Sequence, residues 1–324
     1  MGIVGSTIVK FLPLAPKFIV RWFAKRYFAG EDLNQALQAI KRISSEGACF
    51  TIDVLGEEIT SMDETTFFIS EYERVIQMIV EHNIDSNISI KPTAFGLHLD
   101  FELGLSNMIS VISKASEREI FVRLDMEDSS TTQDTIDALT RLHEMGHENV
   151  GIVFQGRLHR TLSDIQNLTD KLGKKLDIRI CKGIYLEPEK IAFTEYSNIV
   201  DETNSAIELS IKNGAYVAIA SHDDPVINFS LNELSNAGMG PGIEDPRTNS
   251  DSSRMGKGPG YEFQFLMGVR GDVRRKLSNQ GHLTRVYLPY GARWYEYSMR
   301  RLRENPDVAL HITKAVLFPW TNRR

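Results

Sequence analysis

Cysteine is nearly missing from this chain: 324 residues contain two, Cys49 and Cys181. Their positions suit neither a zinc site nor a disulfide framework, so a reducing compartment is expected, with the cytoplasm as default. An excess of positive charge is missing too. Lysine and arginine total 37 against 43 acidic residues, a formal charge of -6. The broad basic field that carries non-specific nucleic-acid binding is therefore not there, and no nucleic-acid partner is expected. The chain has no low-complexity tract, no internal repeat and no GxSxG or Ser-His-Asp signature of a hydrolase.

What is present is ordinary for a folded protein: 42% apolar and 25% charged residues, enough for a sizeable core. An α/β barrel reaches this length as one unit. The first thirty residues stand apart. They carry Lys10, Lys17, Arg21, Lys25 and Arg26 among Phe11, Phe18, Ile19, Trp22 and Phe23, with no acidic group. Their apolar runs are too short to span a bilayer, and Pro13 and Pro16 interrupt them. A basic amphipathic arm of this kind either packs on the domain or lies on an anionic membrane surface, and the two are compatible. Residues 1–46 are read as a helical arm and 47–324 as the main domain.

From residue 48 onward, β-type runs alternate with helical ones, the pattern of a parallel sheet wound with helices. Eight such runs begin at Ala48, Asn87, Ile120, Val150, Asp177, Val217, Tyr261 and Thr284. The count suits a TIM-type (βα)8 barrel and also permits a doubly wound open sheet. Asp63 and Thr131 or Thr132 stand where helix caps belong, and Gly146 where a helix stops. One irregular stretch, 235–260, is dense in Gly, Pro, Ser, Asn and Asp and is expected to be a flexible insertion.

Alternation along the strands separates two faces. Val122, Leu124 and Met126 oppose Arg123 and Asp125; Phe263 and Phe265 oppose Glu262 and Gln264; Ile178 and Ile180 oppose Arg179. With apolar rows against the helices, the axis receives Lys91, Asp125, Gln155, Arg179, Gln264 and Tyr287, all near strand carboxyl ends. Barrel enzymes keep their sites there. So many polar groups together cost ~1–3 kcal/mol for each one left unpaired, which favours a ligand site over a set of structural pairs. With Lys182, Arg300 and Arg301 added, cationic and amide groups outnumber carboxylates, and an anionic ligand is expected.

The strand-end motifs, "IKPTAFGL", "RLDMEDS", "RICKGIYLEP", "ASHD", "YEFQFLMGVR" and "YLPYGARWYEYSMRRLRENP" in that order, resemble those of FAD-dependent proline dehydrogenases of the monofunctional prokaryotic type. The likeness runs from Gly47 to Arg303. It implies a distorted (βα)8 barrel that holds FAD at its carboxyl face. It also implies oxidation of L-proline to Δ1-pyrroline-5-carboxylate, with hydride passing from proline C5 to flavin N5. Further implications are a membrane quinone as electron acceptor, a separate pyrroline-5-carboxylate dehydrogenase downstream, and peripheral contact with the cytoplasmic membrane.

Residue by residue, the resemblance implies that Asp125 and Arg179 are catalytic. Lys91, Arg300 and Arg301 would bind the proline carboxylate, while Tyr287, Tyr297, Leu266 and Tyr185 would wall its ring. Flavin contacts would come from Met126, Gln155, Arg179, Lys182, Gly183, Ile184, Ser221 and His222, with Gln264 and Glu304 as weaker candidates. The chain departs from the family pattern at Ile184, usually Ala, at Ser221, usually Thr, and in the looser run "FQGRLHRT".

Two other motifs compete. "HEMGH", 143–147, fits the HExxH zinc-hydrolase pattern, but Gly146 is expected to end the helix before the second histidine can share its face, and no metal is expected. "GMGPG" and "GKGPG" neither follow a strand nor open a helix as a dinucleotide loop does. A non-enzymatic ligand-binding barrel is the remaining alternative.

Overall fold

The eight alternating runs become eight parallel strands that close on themselves. The computed structural model describes residues 21, 25–247, 260–295 and 297. The strands are β1 (Cys49–Val54), β2 (Ser86–Ile90), β3 (Val122–Leu124), β4 (Val150–Gln155), β5 (Asp177–Cys181), β6 (Tyr216–Ala220), β7 (Tyr261–Leu266) and β8 (Thr284–Tyr290). They pair in chain order, and β1 also pairs with β8, with Thr51 beside Tyr287. That last pairing makes a (βα)8 barrel and rules out the open sheet.

Helices α1 (Leu33–Ser44), α2 (Thr65–Glu81), α3 (Phe101–Ser116), α4 (Thr132–Glu144), α5 (Thr161–Leu172), α6 (Tyr196–Lys212), α7 (Asp224–Asn236) and α8 (Gly271–Asn279) surround it. α2 to α8 each follow one of the strands β1 to β7, and their apolar stripes bury against the outward rows. α1 is different. Ala29 donates to the Pro289 carbonyl and Gly291 to the Gly30 carbonyl at the carboxyl end of β8, while Ser278 donates to the Gly47 carbonyl at the other end. α1 therefore packs along β8, where a regular barrel puts the helix that follows its last strand.

Local signals are partly rearranged. Asp63 does not cap α2: it lies in a short 3-10 turn, Met62–Glu64, whose cap is Ser61. Thr131 holds the position before α4, yet its hydroxyl donates to the Asp128 carbonyl instead of accepting from the helix. Gly146 does end α4, with φ of 90°. The irregular stretch begins after α7 reaches Asn236. Met239 is buried, and Arg247 bonds Asp245 and the carbonyls of Ile211 and Gly260. Residues 248–259 and nearly all of the basic arm, 1–20 and 22–24, lie outside the described residues.

The outward rows are apolar, as the alternation predicts: Phe50, Ile52, Ile88, Ile90, Ile152, Phe154, Ile178, Phe263 and Phe265 are all buried. Polar groups fill much of the barrel interior. Near the amino end Arg123 pairs with Asp177 and donates to the Asp177 and Ile152 carbonyls. Gly151 makes room for it, since a Cβ there would come 2.7 Å from Arg123 Nη1 and 2.5 Å from the Asp177 carbonyl. Arg285 likewise meets Glu262 at 2.9 Å. Buried charges are tolerated only when matched, and removing one partner is far costlier than replacing both. Arg123→Met is therefore expected to cost ~3–5 kcal/mol, read from urea unfolding at neutral pH. A loss near that of a surface substitution would show that the pair contributes little.

Candidate active site

Strand alternation delivers the inward side chains to the carboxyl-end mouth, where a cavity of about 280 Å³ opens. Its lining includes all six rim residues expected from the strands, Lys91, Asp125, Gln155, Arg179, Gln264 and Tyr287. At the centre is Asp125. Its Oδ1 accepts from Arg179 Nη1 at 2.6 Å and from the Ser89 hydroxyl at 2.5 Å. Its Oδ2 accepts from the Tyr287 hydroxyl at 2.7 Å, with Lys91 Nζ 4.0 Å away. Lys91 Nζ itself donates to Asp53 at 2.6 Å.

These contacts decide protonation. Burial pushes the Asp125 carboxyl up, but Arg179, then Lys91, and the hydroxyls of Ser89 and Tyr287 outweigh it and hold it below its ordinary range. Burial alone would push the Lys91 ammonium down. Asp53, Asp125 and Glu57 reverse this and raise it, so Lys91 stays cationic. Tyr287 is pushed far up, first by burial and then by Asp125 and Asp53, and remains a phenol that can donate.

The remaining candidates flank this knot. Met126, Lys182, Gly183, Ile184, Tyr185, Ser221, His222, Leu266 and Tyr297 all line the cavity. Gln155 Nε2 donates to the Glu127 carbonyl at 2.8 Å. Lys182 pairs with Asp223 and lies 5.0 Å over the Tyr196 ring. Ser221 accepts from the Asp223 amide, and His222 Nε2 accepts from the Leu266 amide at 3.0 Å, so that nitrogen carries a lone pair. Ile184 is 39% exposed at the cavity edge. Gln264 spends both ends of its amide within the protein, on Arg179 and Glu262. Arg300, Arg301 and Glu304 lie outside the described residues.

Four acidic groups enter the lining that the sequence reading did not place there: Asp53, Glu57, Glu127 and Asp223. With Asp125 they equal in number the cations Lys91, Arg179 and Lys182 together with the amides Gln155 and Gln264 among the described lining residues, so the expected excess of cationic and amide groups is not seen there, Arg300 and Arg301 lying outside them. Asp53 carried a readable signal, because Thr51 and Asp53 alternate with Phe50, Ile52 and Val54 as in the other strands. Glu57 and Glu127 sit in loops, where alternation says nothing. Glu127 Oε2 accepts from the Thr93 amide at 3.0 Å and its Oε1 from the Thr93 hydroxyl at 2.5 Å. That hydroxyl also accepts from the Glu58 amide at 2.8 Å. Glu127 therefore ties together the loops that follow β1, β2 and β3.

The HEMGH segment does not form a zinc site. α4 ends at Glu144, and His143 Nε2 meets the Val150 carbonyl at 3.1 Å. His143 and His147 do not share a helical face.

The chain matches the family model described as proline dehydrogenase over residues 36–313. It is similar to proline dehydrogenase 1 of Bacillus subtilis strain 168, 33% identical over 97% of this chain and 96% of that protein. It is also 33% identical to the proline dehydrogenase of Deinococcus radiodurans, over 91% of this chain and 90% of that one. Among solved structures, proline utilization A from Bdellovibrio bacteriovorus inactivated by N-propargylglycine superimposes with a TM-score of 0.77 at 21% identity. That match covers 88% of this chain and 33% of the other, so the chain spans about a third of that protein, and the likeness there is one of fold.

Glu127 differs from Asp125 in having no cation bonded to it among the described residues. Burial pushes its carboxyl up to about 7, against the pull of the two Thr93 donors. A carboxyl raised in the folded state favours folding below its unfolded value and loses that contribution as pH rises through the folded one. Wild type should therefore lose stability relative to Glu127→Gln between pH ~5 and ~8, by up to roughly 3 kcal/mol. Parallel urea-unfolding curves across that range would contradict the assignment.

Proposed function

We propose how this site works from the premise that the chain belongs to the proline dehydrogenase family. It oxidises proline, the first step of proline catabolism, as a single-activity enzyme of the prokaryotic type. Membership implies a flavin, and we take it to be FAD. Two features of the cavity fit such a group. Gly183 has φ of 95°, and a Cβ there would come 2.6 Å from Gln155 Oε1, so a bare backbone faces the cavity beside an amide side chain. Arg179 Nη2 is buried without a partner among the described residues, which leaves donors for a ring that becomes anionic on reduction.

Met126, Gln155, Arg179, Lys182, Gly183, Ile184, Ser221 and His222 are the residues that would hold FAD, with Gln264 and Glu304 at its margin. When bound, FAD supplies the acceptor for the hydride that leaves proline C5. The protein's part is to bind, orient and keep charge fixed. Arg300 and Arg301 fork onto the proline carboxylate, and Lys91 assists, since its ammonium has three donors and Asp53 takes one. Tyr185, Leu266, Tyr287 and Tyr297 wall the ring and exclude water. Asp125, itself ionised, holds Arg179 and Tyr287 in place, so the cationic edge needs no reorganisation when negative charge develops. Onward, we assign the electrons to a quinone and the product to a separate pyrroline-5-carboxylate dehydrogenase.

The observation that carries this reading is the knot of Asp125 with Arg179, Tyr287, Ser89 and Lys91 on the cavity floor. Anaerobic addition of L-proline to the purified protein should bleach its flavin absorbance. A yellow protein whose colour proline does not change would overturn the substrate assignment. Arg300→Lys or Arg301→Lys should raise KM for proline by about 10- to 100-fold, because an ammonium cannot reproduce the planar fork and loses roughly 1.5–3 kcal/mol of charged hydrogen bonding. Steady-state kinetics indistinguishable from wild type in both variants would remove the two arginines from the carboxylate site.

A further inference from the structure

A chain of polar side chains runs down the barrel axis from Arg179 to the strand interior below it. Arg285 Nε donates to both oxygens of Glu262 at 2.9 Å, and its Nη1 donates to the Phe50 carbonyl at 2.6 Å. Tyr216 donates to Glu262 Oε2 at 3.1 Å. Gln264 Nε2 donates to Glu262 Oε1, and Gln264 Oε1 accepts from Arg179 Nε at 2.6 Å. Arg179, Tyr216, Glu262, Gln264 and Arg285 are all buried.

The chemistry of this chain allows one arrangement. A carboxylate paired with a guanidinium can only accept, so the amide nitrogen of Gln264 must face Glu262. Its oxygen is then forced toward Arg179. The flipped amide would set oxygen against carboxylate and N–H against guanidinium, both repulsive in a medium with little water to screen them.

Arg179 has five N–H donors. Gln264 takes the one on Nε, and Asp125 and Ser89 meet Nη1 at 2.6 and 3.4 Å. Nη2 is left without a partner among the described residues. Two fixed acceptors on different edges determine the plane of a guanidinium, which one acceptor cannot do. Asp125 supplies the first and Gln264 the second, and Glu262 determines which end of Gln264 is presented.

We propose that Glu262 and Gln264 are positioning residues for flavin reduction, which lock the Arg179 guanidinium at the cavity lining so that its positive charge stabilises the anionic reduced flavin. They act through Arg179. This inference rests on the flavin reading above. It separates Gln264 from the direct flavin contacts and gives a role to Glu262, which lies one layer beneath the site.

The test compares the flavin midpoint potential of wild type, Glu262→Gln, Gln264→Met and the double variant, each as holoenzyme in a spectroscopic redox titration. Either single change should weaken stabilisation of the reduced flavin by about tenfold, a fall of ~30 mV for a two-electron couple. The double variant should fall no further than the larger single change, since both act on one guanidinium. KM for proline should stay near wild type while kcat drops. Gln264→Met leaves the Arg285–Glu262 pair intact, so it decides the matter even if Glu262→Gln fails to fold. An unchanged potential in Gln264→Met, or lowered thermal stability with potentials at the wild-type value, would overturn the proposal and leave the chain a structural filler. A colourless wild-type protein would overturn the flavin reading and this inference together.

Discussion

An ionised carboxylate far from bulk water has to be matched, and in this barrel Asp125 is the group on which that matching turns. The effective cost of taking one such charge out of water is several kcal/mol, and at an effective dielectric of about 20 a cation 4 Å away returns roughly 4 kcal/mol. Asp125 has Arg179 at 2.6 Å, Lys91 at 4.0 Å, and hydroxyl donors at 2.5 and 2.7 Å. That set is sufficient to keep it charged. Both of its cationic partners are in turn bound elsewhere: Lys91 to Asp53, Arg179 to Gln264. The site is one continuous network.

The same constraint explains how the barrel can be polar along its axis. Arg123 with Asp177 and Arg285 with Glu262 form matched pairs near the amino end, and the chain from Arg285 through Glu262 and Gln264 reaches Arg179. A slip of any strand by one residue would turn these charges toward the helices and the apolar rows inward. The pairs thus enforce strand register as well as occupying space. Floor and site are one structure, and the stability of the lower layer is the rigidity of the upper one.

Glu127 shows what happens where the matching is incomplete. It is more deeply buried than Asp125 and accepts two hydrogen bonds from Thr93, yet no cation among the described residues is bonded to it. Two neutral donors do not offset burial, so this carboxyl titrates near neutrality while its neighbour two residues earlier stays charged. Glu127 also links the loops that carry Lys91 and Asp125, so it belongs to the same scaffold as the knot.

Much of this was legible in the residues themselves. The period of two in "FVRLDM" or "EFQFL" determines which side chains turn inward, because that alternation is a local property of an extended backbone. The polar rim followed from it, and so did Gly146 as the stop that breaks the zinc motif. Pairing was not legible. Tyr287 meets Asp125 across 162 residues, Arg179 meets Gln264 across 85, and Lys91 meets Asp53 across 38. Which inward groups become partners depends on closure of β1 onto β8 and on the strand stagger, and no local pattern encodes either. Nor could alternation reach Glu127 in its loop, or assign α1 to the flank of β8. Alternation along each strand names the inward groups; the closed barrel sets which of them share charge, because only closure brings opposite strands within hydrogen-bonding distance.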